Sequence, residues 1–198
     1  MHVCGSIPMS RAEKFIFLNA KILYLDSTAV GGKHKHYDES HSIFLLCYNT
    51  CMNNEDIVGF MLKDWYVFDS YAPFQIEWRG KLWPTAEHAF QAAHFFETNP
   101  ELAEKVRLTR SPREADDFAN ENKQYDDPKW REKRVAIMEE IVRAKYEQHP
   151  LIKETLLKTG TMPIIEVNDN DSFWGWGPDK NGENTLGAIW MRLRDEVA

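Results

Sequence analysis

The sequence predicts an α+β fold, a single and mainly α-helical domain packed around a small, mostly antiparallel β-sheet. Two patterns carry this prediction. Between residues 74 and 83, apolar and polar side chains alternate on both sides of Arg79-Gly80, which indicates a β-hairpin. From Thr85 onwards, apolar residues recur at helical spacing in segments that open with capping residues or proline. The 198 residues are enough for one domain with a sizeable core.

The region before the hairpin contains further strand and loop signals. Residues 13–25 are rich in Phe, Ile, Leu and Tyr and predict one or two strands, and residues 42–48 predict a buried strand. Between them, residues 26–41 are polar and include Gly31-Gly32, which indicates a loop. No repeat or low-complexity segment is present, so the composition does not require a second domain.

Six helical segments are predicted after the hairpin, each with its own start signal. They begin at Thr85, Asn99-Pro100, Ser111-Pro112, Asp127-Pro128, Pro150 and Thr185. The fourth is the longest and runs to about Gln148, and Gly160 ends the fifth at its C′ position. A short strand at 163–167 and a polar loop at 168–184 come before the last helix.

The composition limits the classes of function. Hydrophobic residues make up 43% and charged residues 28%, which is typical of a globular protein, and no apolar run reaches membrane-spanning length. The 24 basic residues against 31 acidic ones give a net charge of -7, which argues against tight, unspecific binding to nucleic acid. A small nucleotide, or one modified base presented by a nucleic acid, remains compatible with this charge.

The N-terminus lacks the basic start and apolar core of a signal peptide, and the three cysteines are too few for a disulfide framework. We therefore expect a reducing compartment, the cytoplasm or the nucleus, and no membrane partner. His34, His36 and His41 are expected to lie in an exposed loop rather than to bind a metal. The run Asp169-Asn170-Asp171 lacks the glycine and distant glutamate of a calcium-binding EF-hand. We predict neither a metal nor a cofactor.

The first motif that carries chemistry starts at Trp83 and includes Glu87 and Gln91. Thr85 is predicted to cap a helix whose alanines and Phe90 face the core, whereas Glu87 and Gln91 share a second, polar face. In the first turn, the helix dipole favours the ionised form of Glu87. A role for Glu87 in helix stability alone is the competing interpretation.

The second motif is the loop 168–184. It contains carboxylates, which supply acid–base capacity, tryptophans, which can stack against flat rings, and glycines, which let a backbone approach a ligand closely. A long loop without secondary structure is often functional. The loop is therefore the second candidate for the site.

Together these motifs resemble the NADAR family of YbiA-like N-glycosidases over residues 42–198, and residues 1–41 form an N-terminal extension without a counterpart. The resemblance rests on Trp83-Pro84-Thr85-x-Glu87-His88-x-x-Gln91-Ala92, Asn170-Asp171-x-x-Trp174-Gly175, Asn184-x-Leu186-Gly187, Ser111 to Ala115, Trp130 and Ala144-Lys145-Tyr146. The family usually has an amide where this chain has Ser70, which affects one polar substrate contact. The resemblance implies an α+β catalytic domain that hydrolyses an N-glycosidic bond at a ribose.

The resemblance and the residue types together give a predicted site. Glu87 and Asp171 are the catalytic pair, which stabilises the charge on the sugar or activates water. Polar contacts to hydroxyls and phosphates are assigned to Gln91, Asn170 and Asn184, stacking to Trp130 and Trp174, and further substrate contacts to Trp83 and Gly175. Core packing of Trp130 and helix capping by Asn184 are equally compatible with the sequence.

The predicted substrate is nucleotide-like. The resemblance implies two classes, ADP-ribose attached to guanine, free or in nucleic acid, and the phosphoribosyl aminopyrimidine intermediates of riboflavin synthesis. The unmatched N-terminal segment favours the first class. A non-catalytic module that binds ADP-ribose is the alternative outside enzymes, and the presence of two acids argues against it. A helical interaction module is a third interpretation, which the polar and aromatic loop disfavours.

Overall fold

The computed structural model describes residues 57–60 and 63–198. The sequence predictions for residues 1–56, including the strands at 13–25 and 42–48, the histidine-rich loop and the cysteines, lie outside the described residues. Within the described part, six α-helices accompany two pairs of short strands. In chain order the elements are β1 (Val58–Gly59), a 3-10 segment (Lys63–Phe68), β2 (Ile76–Trp78), β3 (Lys81–Trp83), α1 (Ala86–Ala93), α2 (Pro100–Arg107), α3 (Pro112–Glu121), a 3-10 segment (Lys123–Tyr125), α4 (Trp130–Gln148), α5 (Pro150–Lys158), β4 (Ile164–Ile165) and α6 (Thr185–Val197).

The strands form one antiparallel and one parallel pair. Strands β2 and β3 make the predicted hairpin, with Ile76 opposite Trp83. Its turn residues Arg79 and Gly80 have φ angles of 50° and 71°, the left-handed conformation typical of a tight hairpin. Strands β1 and β4 run parallel because the helices α1 to α5 lie between them in the chain. The predicted α+β class is confirmed, with a parallel pair added to the antiparallel hairpin.

Helix α1 lies at the centre of the domain. All eight of its residues are buried, and it packs against α2, α3 and α4. Four of them are alanines, which allow these neighbours to approach closely, and Thr85 caps its start by accepting the His88 N–H. The sequence predicted one core face and one polar face. That division is wrong in one respect: helices pack on all sides of α1, so its polar face is buried as well.

Helix α4 connects the hairpin to the last two helices. It packs against β2, α5 and α6, and the predicted stripe of Trp130, Ile137, Met138 and Ile141 is buried. Ala144, the fifth residue of the predicted stripe, is only half-buried. The helix begins at Trp130, two residues after the predicted Asp127-Pro128 start. The reason is local, because the Asp127 carboxylate accepts the Lys129 N–H at 2.8 Å and holds these residues in a turn.

Asn184 fastens the start of α6 to the end of β4. Its side-chain oxygen accepts the Glu166 N–H and its amide donates to the Ile164 carbonyl, both at 2.9 Å. Gly187 lies directly against this junction. A Cβ at Gly187 would come within 2.2 Å of the Ile164 carbonyl oxygen and 2.5 Å of the Asn184 amide. Glycine is therefore required at this position by close packing of the helix onto the strand.

Gly187→Ala should lower the free energy of unfolding by about 2–3 kcal/mol, the upper part of the range for overpacking, because the Ile164 carbonyl is backbone and cannot move aside. Urea denaturation monitored by circular dichroism measures the change. Gly80→Ala is the matched control, since a Cβ there meets no atom within 4 Å and costs only the strain of its positive φ, about 1 kcal/mol. Equal losses in the two variants would contradict the packing argument.

Candidate active site

Glu87 is a buried carboxyl at the start of α1. It is 7% exposed, and its Oε1 accepts a hydrogen bond from the Gln91 amide at 2.7 Å. The Ser70 side chain hydrogen-bonds to the carboxyl, and the Ser70 carbonyl accepts the Glu87 N–H at 3.0 Å. Ser70, where the family usually has an amide, therefore holds the Glu87 carboxyl in place.

Burial decides the protonation of Glu87. Loss of water raises its pKa to about 7, since desolvation outweighs the hydrogen bonds from Ser70 and Gln91, and the charges of Asp116 and Asp69 act in the same direction as burial. The first-turn position had predicted that the ionised form would be favoured. The helix dipole is worth at most about 2 kcal/mol even in favourable sites, so burial prevails. Glu87 can therefore exchange a proton near neutral pH.

A polar chain extends from Glu87 towards α3. The Gln91 amide also donates to Asp116 Oδ1 at 3.1 Å, and the Tyr71 hydroxyl donates to Asp116 Oδ2 at 3.4 Å. Burial, together with the carboxylates of Glu87 and Asp116, raises the pKa of Tyr71. The sequence analysis missed Asp116, which lies 25 residues after Gln91 on another helix. Tyr71 and Asp116 thus extend the site beyond the two sequence motifs.

A buried amine lies on the other side of the site. Lys145 of α4 is 1% exposed, and its Nζ donates to the Asp69 carbonyl at 2.6 Å. Burial lowers the pKa of Lys145 to about 7, against the attraction of the Asp69 charge, and burial also raises the pKa of Asp69. Lys145 belongs to one of the motifs on which the family resemblance rests, but the sequence alone assigned it no role. The side chain connects α4 to the segment that carries Ser70.

Asp171 shapes the loop 168–184. Its Oδ1 accepts the N–H groups of Phe173 and Trp174, each at 2.8 Å, so it holds a tight turn. Gly175 is buried, and a Cβ there would lie 2.9 Å from the Glu166 carbonyl oxygen. The sequence assigned Gly175 to a ligand contact. In the structure, the loop's own packing requires this glycine.

Glu166 lies at the end of β4, where the loop begins. Burial raises its pKa to about 8 against the hydrogen bond from Asn168, and the charges of Asp171, Asp69 and Glu87 act in the same direction as burial. Because both Glu87 and Asp171 act on this one carboxyl, the end of β4 brings the two predicted catalytic residues into one electrostatic environment. Sequence reasoning missed Glu166, although it lies only two residues before Asn168, where the loop begins.

A row of aromatic rings joins the loop to the helices. Phe90 of α1 lies between Trp130 of α4 and Trp174 of the loop, with ring centroids 5.1 Å and 5.3 Å away. Trp174 also contacts Phe173, and the Arg134 guanidinium lies 3.5 Å from the centre of the Phe173 ring. We call Trp130, Phe90, Trp174 and Phe173 the aromatic row. Trp130 is 8% exposed. Whether it packs in the core or stacks against a ligand, it does so as part of the aromatic row.

The structure also describes Trp83, Asn184 and Asn170. Trp83 is fully buried in the core, where its indole N–H donates to the Trp78 carbonyl at 2.9 Å, and its predicted substrate contact stays a prediction. Both polar groups of the Asn184 side chain are engaged at the junction of β4 and α6, and it makes no capping bond. Asn170 is exposed in the loop.

Neither a metal cluster nor a membrane span is found in the described chain. Across residues 57–60 and 63–198, no group of three or more His, Cys, Asp or Glu side chains has the arrangement of a metal site. No helix in this part of the chain combines the length and apolarity needed to cross a bilayer.

Comparisons with known proteins agree with this geometry. The sequence model of the NADAR domain matches residues 51–198. The chain belongs to the NADAR family. It is 33% identical over 135 residues to the N-glycosidase YbiA of Escherichia coli, covering 68% of this chain and 83% of that protein. It is 35% identical over 128 residues to a riboflavin biosynthesis protein of Vibrio vulnificus, covering 65% of this chain and 34% of that one.

The solved NMR structure of YbiA from Escherichia coli has the same fold. It superposes with a TM-score of 0.65 at 31% identity, covering 74% of this chain and 87% of that chain. The family and its named relatives make this NADAR protein a hydrolase of N-glycosyl bonds.

Glu87→Gln should stabilise the protein above neutral pH. In the unfolded chain a glutamate loses its proton near pH 4.5, whereas folded Glu87 keeps it to about pH 7, so its contribution to stability is lost as pH rises through this window. The amide cannot ionise. Its advantage over wild type should be absent below pH 4.5 and reach up to about 3 kcal/mol above pH 7.

Thermal unfolding from pH 4 to pH 9 measures this difference. Glu101→Gln is the matched control, because Glu101 is an exposed first-turn glutamate of α2. Its substitution should cost a few tenths of a kcal/mol through the helix dipole. If Glu87→Gln instead destabilises like the control at every pH, Glu87 is a first-turn stabiliser only.

Proposed function

We propose that this NADAR hydrolase removes ADP-ribose from guanine by hydrolysing the bond between ribose C1′ and a guanine nitrogen. The observation that carries the proposal is the Glu87 carboxyl, buried at the start of α1 and held by Ser70 and Gln91 with a pKa of about 7. A general base works best when its pKa lies near the operating pH. A fixed carboxylate also stabilises the positive charge that develops on the sugar when this bond breaks.

The reaction follows from these roles. The C1′–N bond breaks and its electron pair stays on the base nitrogen, which takes up a proton. Ionised Glu87 accepts a proton from water as the oxygen bonds to C1′, leaving ribose with a hydroxyl group. The Gln91 amide, which donates to both Glu87 and Asp116, keeps the carboxylate oriented. No step in this scheme requires a metal.

The aromatic row and Arg134 support a ligand with both flat rings and phosphates. Aromatic faces stack adenine or guanine at a gain of about 1–3 kcal/mol for each base. Arg134 Nε is buried and has no hydrogen-bond partner, although its guanidinium lies against Phe173. A guanidinium with free donors suits a diphosphate. ADP-ribose combines both groups.

A second candidate substrate is a phosphoribosyl aminopyrimidine intermediate of riboflavin synthesis. The name of the relative from Vibrio vulnificus, a riboflavin biosynthesis protein, favours it. That substrate carries one phosphate and no adenine, so it would leave part of the aromatic row unused. A module that binds ADP-ribose without turnover would have no use for a buried carboxyl near an anionic ligand.

Glu87→Gln should lower kcat on ADP-ribosylated guanosine by at least about 100-fold, since it removes both the base and the charge that stabilises the transition state. Asp171→Asn should also lose most of kcat while binding ADP-ribose as well as wild type, because the amide keeps the loop turn and removes only a negative charge. The double variant should be little worse than the poorer single, as for residues that act together.

Asp179→Asn is the matched control for the loop. Asp179 is exposed and holds a similar turn by accepting the Asn181 N–H at 3.2 Å. Chromatographic separation of ADP-ribose and guanosine gives the rates. Wild-type turnover in Glu87→Gln would overturn the proposed catalytic role, and equal effects of Asp179→Asn and Asp171→Asn would show that Asp171 only shapes the loop.

ADP-ribose should raise the thermal midpoint of the protein more than ribose 5-phosphate at the same millimolar concentration, because a ligand that binds only the folded state stabilises it by mass action. Arg134→Gln should reduce the shift with ADP-ribose. Arg131→Gln, an exposed position three residues earlier on α4, serves as the control. A shift with ribose 5-phosphate and none with ADP-ribose would favour the aminopyrimidine substrate.

A further inference from the structure

The Glu166 carboxyl combines a fixed backbone with one unused oxygen. Its N–H donates to Asn184 Oδ1 at 2.9 Å, and its carbonyl accepts the N–H groups of Asn168 at 2.9 Å and Trp176 at 3.1 Å. The side-chain Oε1 accepts a long contact from the Asn168 amide at 3.5 Å. Oε2 is shielded from solvent and has no hydrogen-bond partner. Every other polar group of Glu166 has a hydrogen-bond partner, so Oε2 is the exception within this residue.

An unpaired buried oxygen is costly unless a partner arrives, and the cost is about 1–3 kcal/mol. Around Glu166, the charged groups are Glu87 on α1, Asp69 after the first 3-10 segment and Asp171 in the loop, all of them acids. Lys145 of α4 donates to the Asp69 carbonyl rather than to Glu166. Among residues 57–60 and 63–198, no cation contributes to the pKa of Glu166, which rises to about 8 mainly through burial.

With a pKa of about 8, Glu166 holds its proton at neutral pH, and no group in the described part of the chain accepts a hydrogen bond from Oε2. The residue ends a parallel strand, and carboxyl ends of parallel strands are a frequent position for ligand sites. A neutral carboxylic acid whose pKa is raised by neighbouring ionisable acids is the arrangement that separates an acid from a base in glycoside hydrolysis. The missing acceptor is then a group of the substrate.

We propose that Glu166 is the catalytic acid that protonates the departing base, a role that rests on the proposed function. As the C1′–N bond breaks, its electron pair takes the proton from Glu166 Oε2, and the base leaves neutral. Water adds to C1′ and gives its proton to Glu87. After the cycle Glu166 is ionised and Glu87 is protonated, and exchange of one proton through solvent restores both.

The pairing of Glu166 as the acid with Glu87 as the base also gives Asp171 a role. Its Oδ1 holds the turn of the loop, and its charge keeps the proton on Glu166. Asp171 then acts through Glu166 as a positioning residue. The second carboxyl of the reaction is then Glu166, just before the loop, whereas sequence reasoning had selected Asp171 inside it.

The test is the pH profile of kcat/KM on ADP-ribosylated guanosine for wild type, Glu166→Gln and Glu166→Asp. Wild type should give a bell that rises as Glu87 ionises and falls as Glu166 loses its proton. Glu166→Gln should be slower by about 100-fold or more and should lack the alkaline limb. Glu166→Asp should keep that limb with partial activity. Glu183→Gln, an exposed glutamate of the same loop, is the control and should match wild type.

A second measurement does not depend on turnover or on the variant folding. In wild-type protein labelled with carbon-13 at glutamate carboxyls, two resonances should titrate at about pH 7 and about pH 8, far from the ordinary range of glutamate. The more alkaline one should be absent in Glu166→Gln where that variant folds. A single strongly shifted resonance, that of Glu87, in wild type would overturn the inference.

The outcomes separate this inference from the proposed function. If wild type does not hydrolyse ADP-ribosylated guanosine, the proposed function fails and the role of Glu166 fails with it. Loss of a general acid lowers the rate by far more than threefold. If wild type is active and Glu166→Gln keeps its rate within about threefold and keeps a bell-shaped profile, only the role of Glu166 is overturned.

Discussion

The complete burial of helix α1 is the constraint on which the site depends. Neighbouring helices cover every face of this eight-residue helix, including the face that carries Glu87 and Gln91. A carboxyl that has lost its water becomes harder to ionise unless a cation compensates it, and here the nearby groups are hydrogen-bond donors and further acids. The same packing that forms the core therefore sets the proton affinity of the site.

Three polar residues each join two elements, and their hydrogen bonds explain why the domain tolerates them in or beside its core. Asn184 joins α6 to β4, Lys145 joins α4 to the segment before the hairpin, and Ser70 joins that segment to α1. Each buried polar atom in these contacts has a partner, so its desolvation is offset. Glu166 Oε2 departs from this rule, and exceptions of this kind often mark function, where stability is lost in exchange for reactivity.

Much of the fold could be predicted because its signals are local. Thr85, Ser111-Pro112 and Gly160 act within a few residues, and the helices they bound are observed. The acids of the site come from residues far apart, and only packing brings Asp116 and Glu166 towards Glu87. Trp83 shows a different limit of the sequence, since its full burial in the core is not apparent from its place in the motif. The sequence pattern identifies the motif, whereas the burial of each residue in the structure indicates its role.

The depth of Glu87 has a consequence for any guanine that belongs to a nucleic acid strand. A carboxyl that is 7% exposed does not reach a base inside a stacked duplex, so the modified nucleotide has to swing out of the helix before reaction. Unstacking costs a few kcal/mol, least at mismatches, strand ends and single strands. With a net charge of -7, the protein gains little from the phosphate backbone to offset that cost. Under the proposed function, frayed or single-stranded DNA and free nucleotides are thus the substrate forms that this architecture suits.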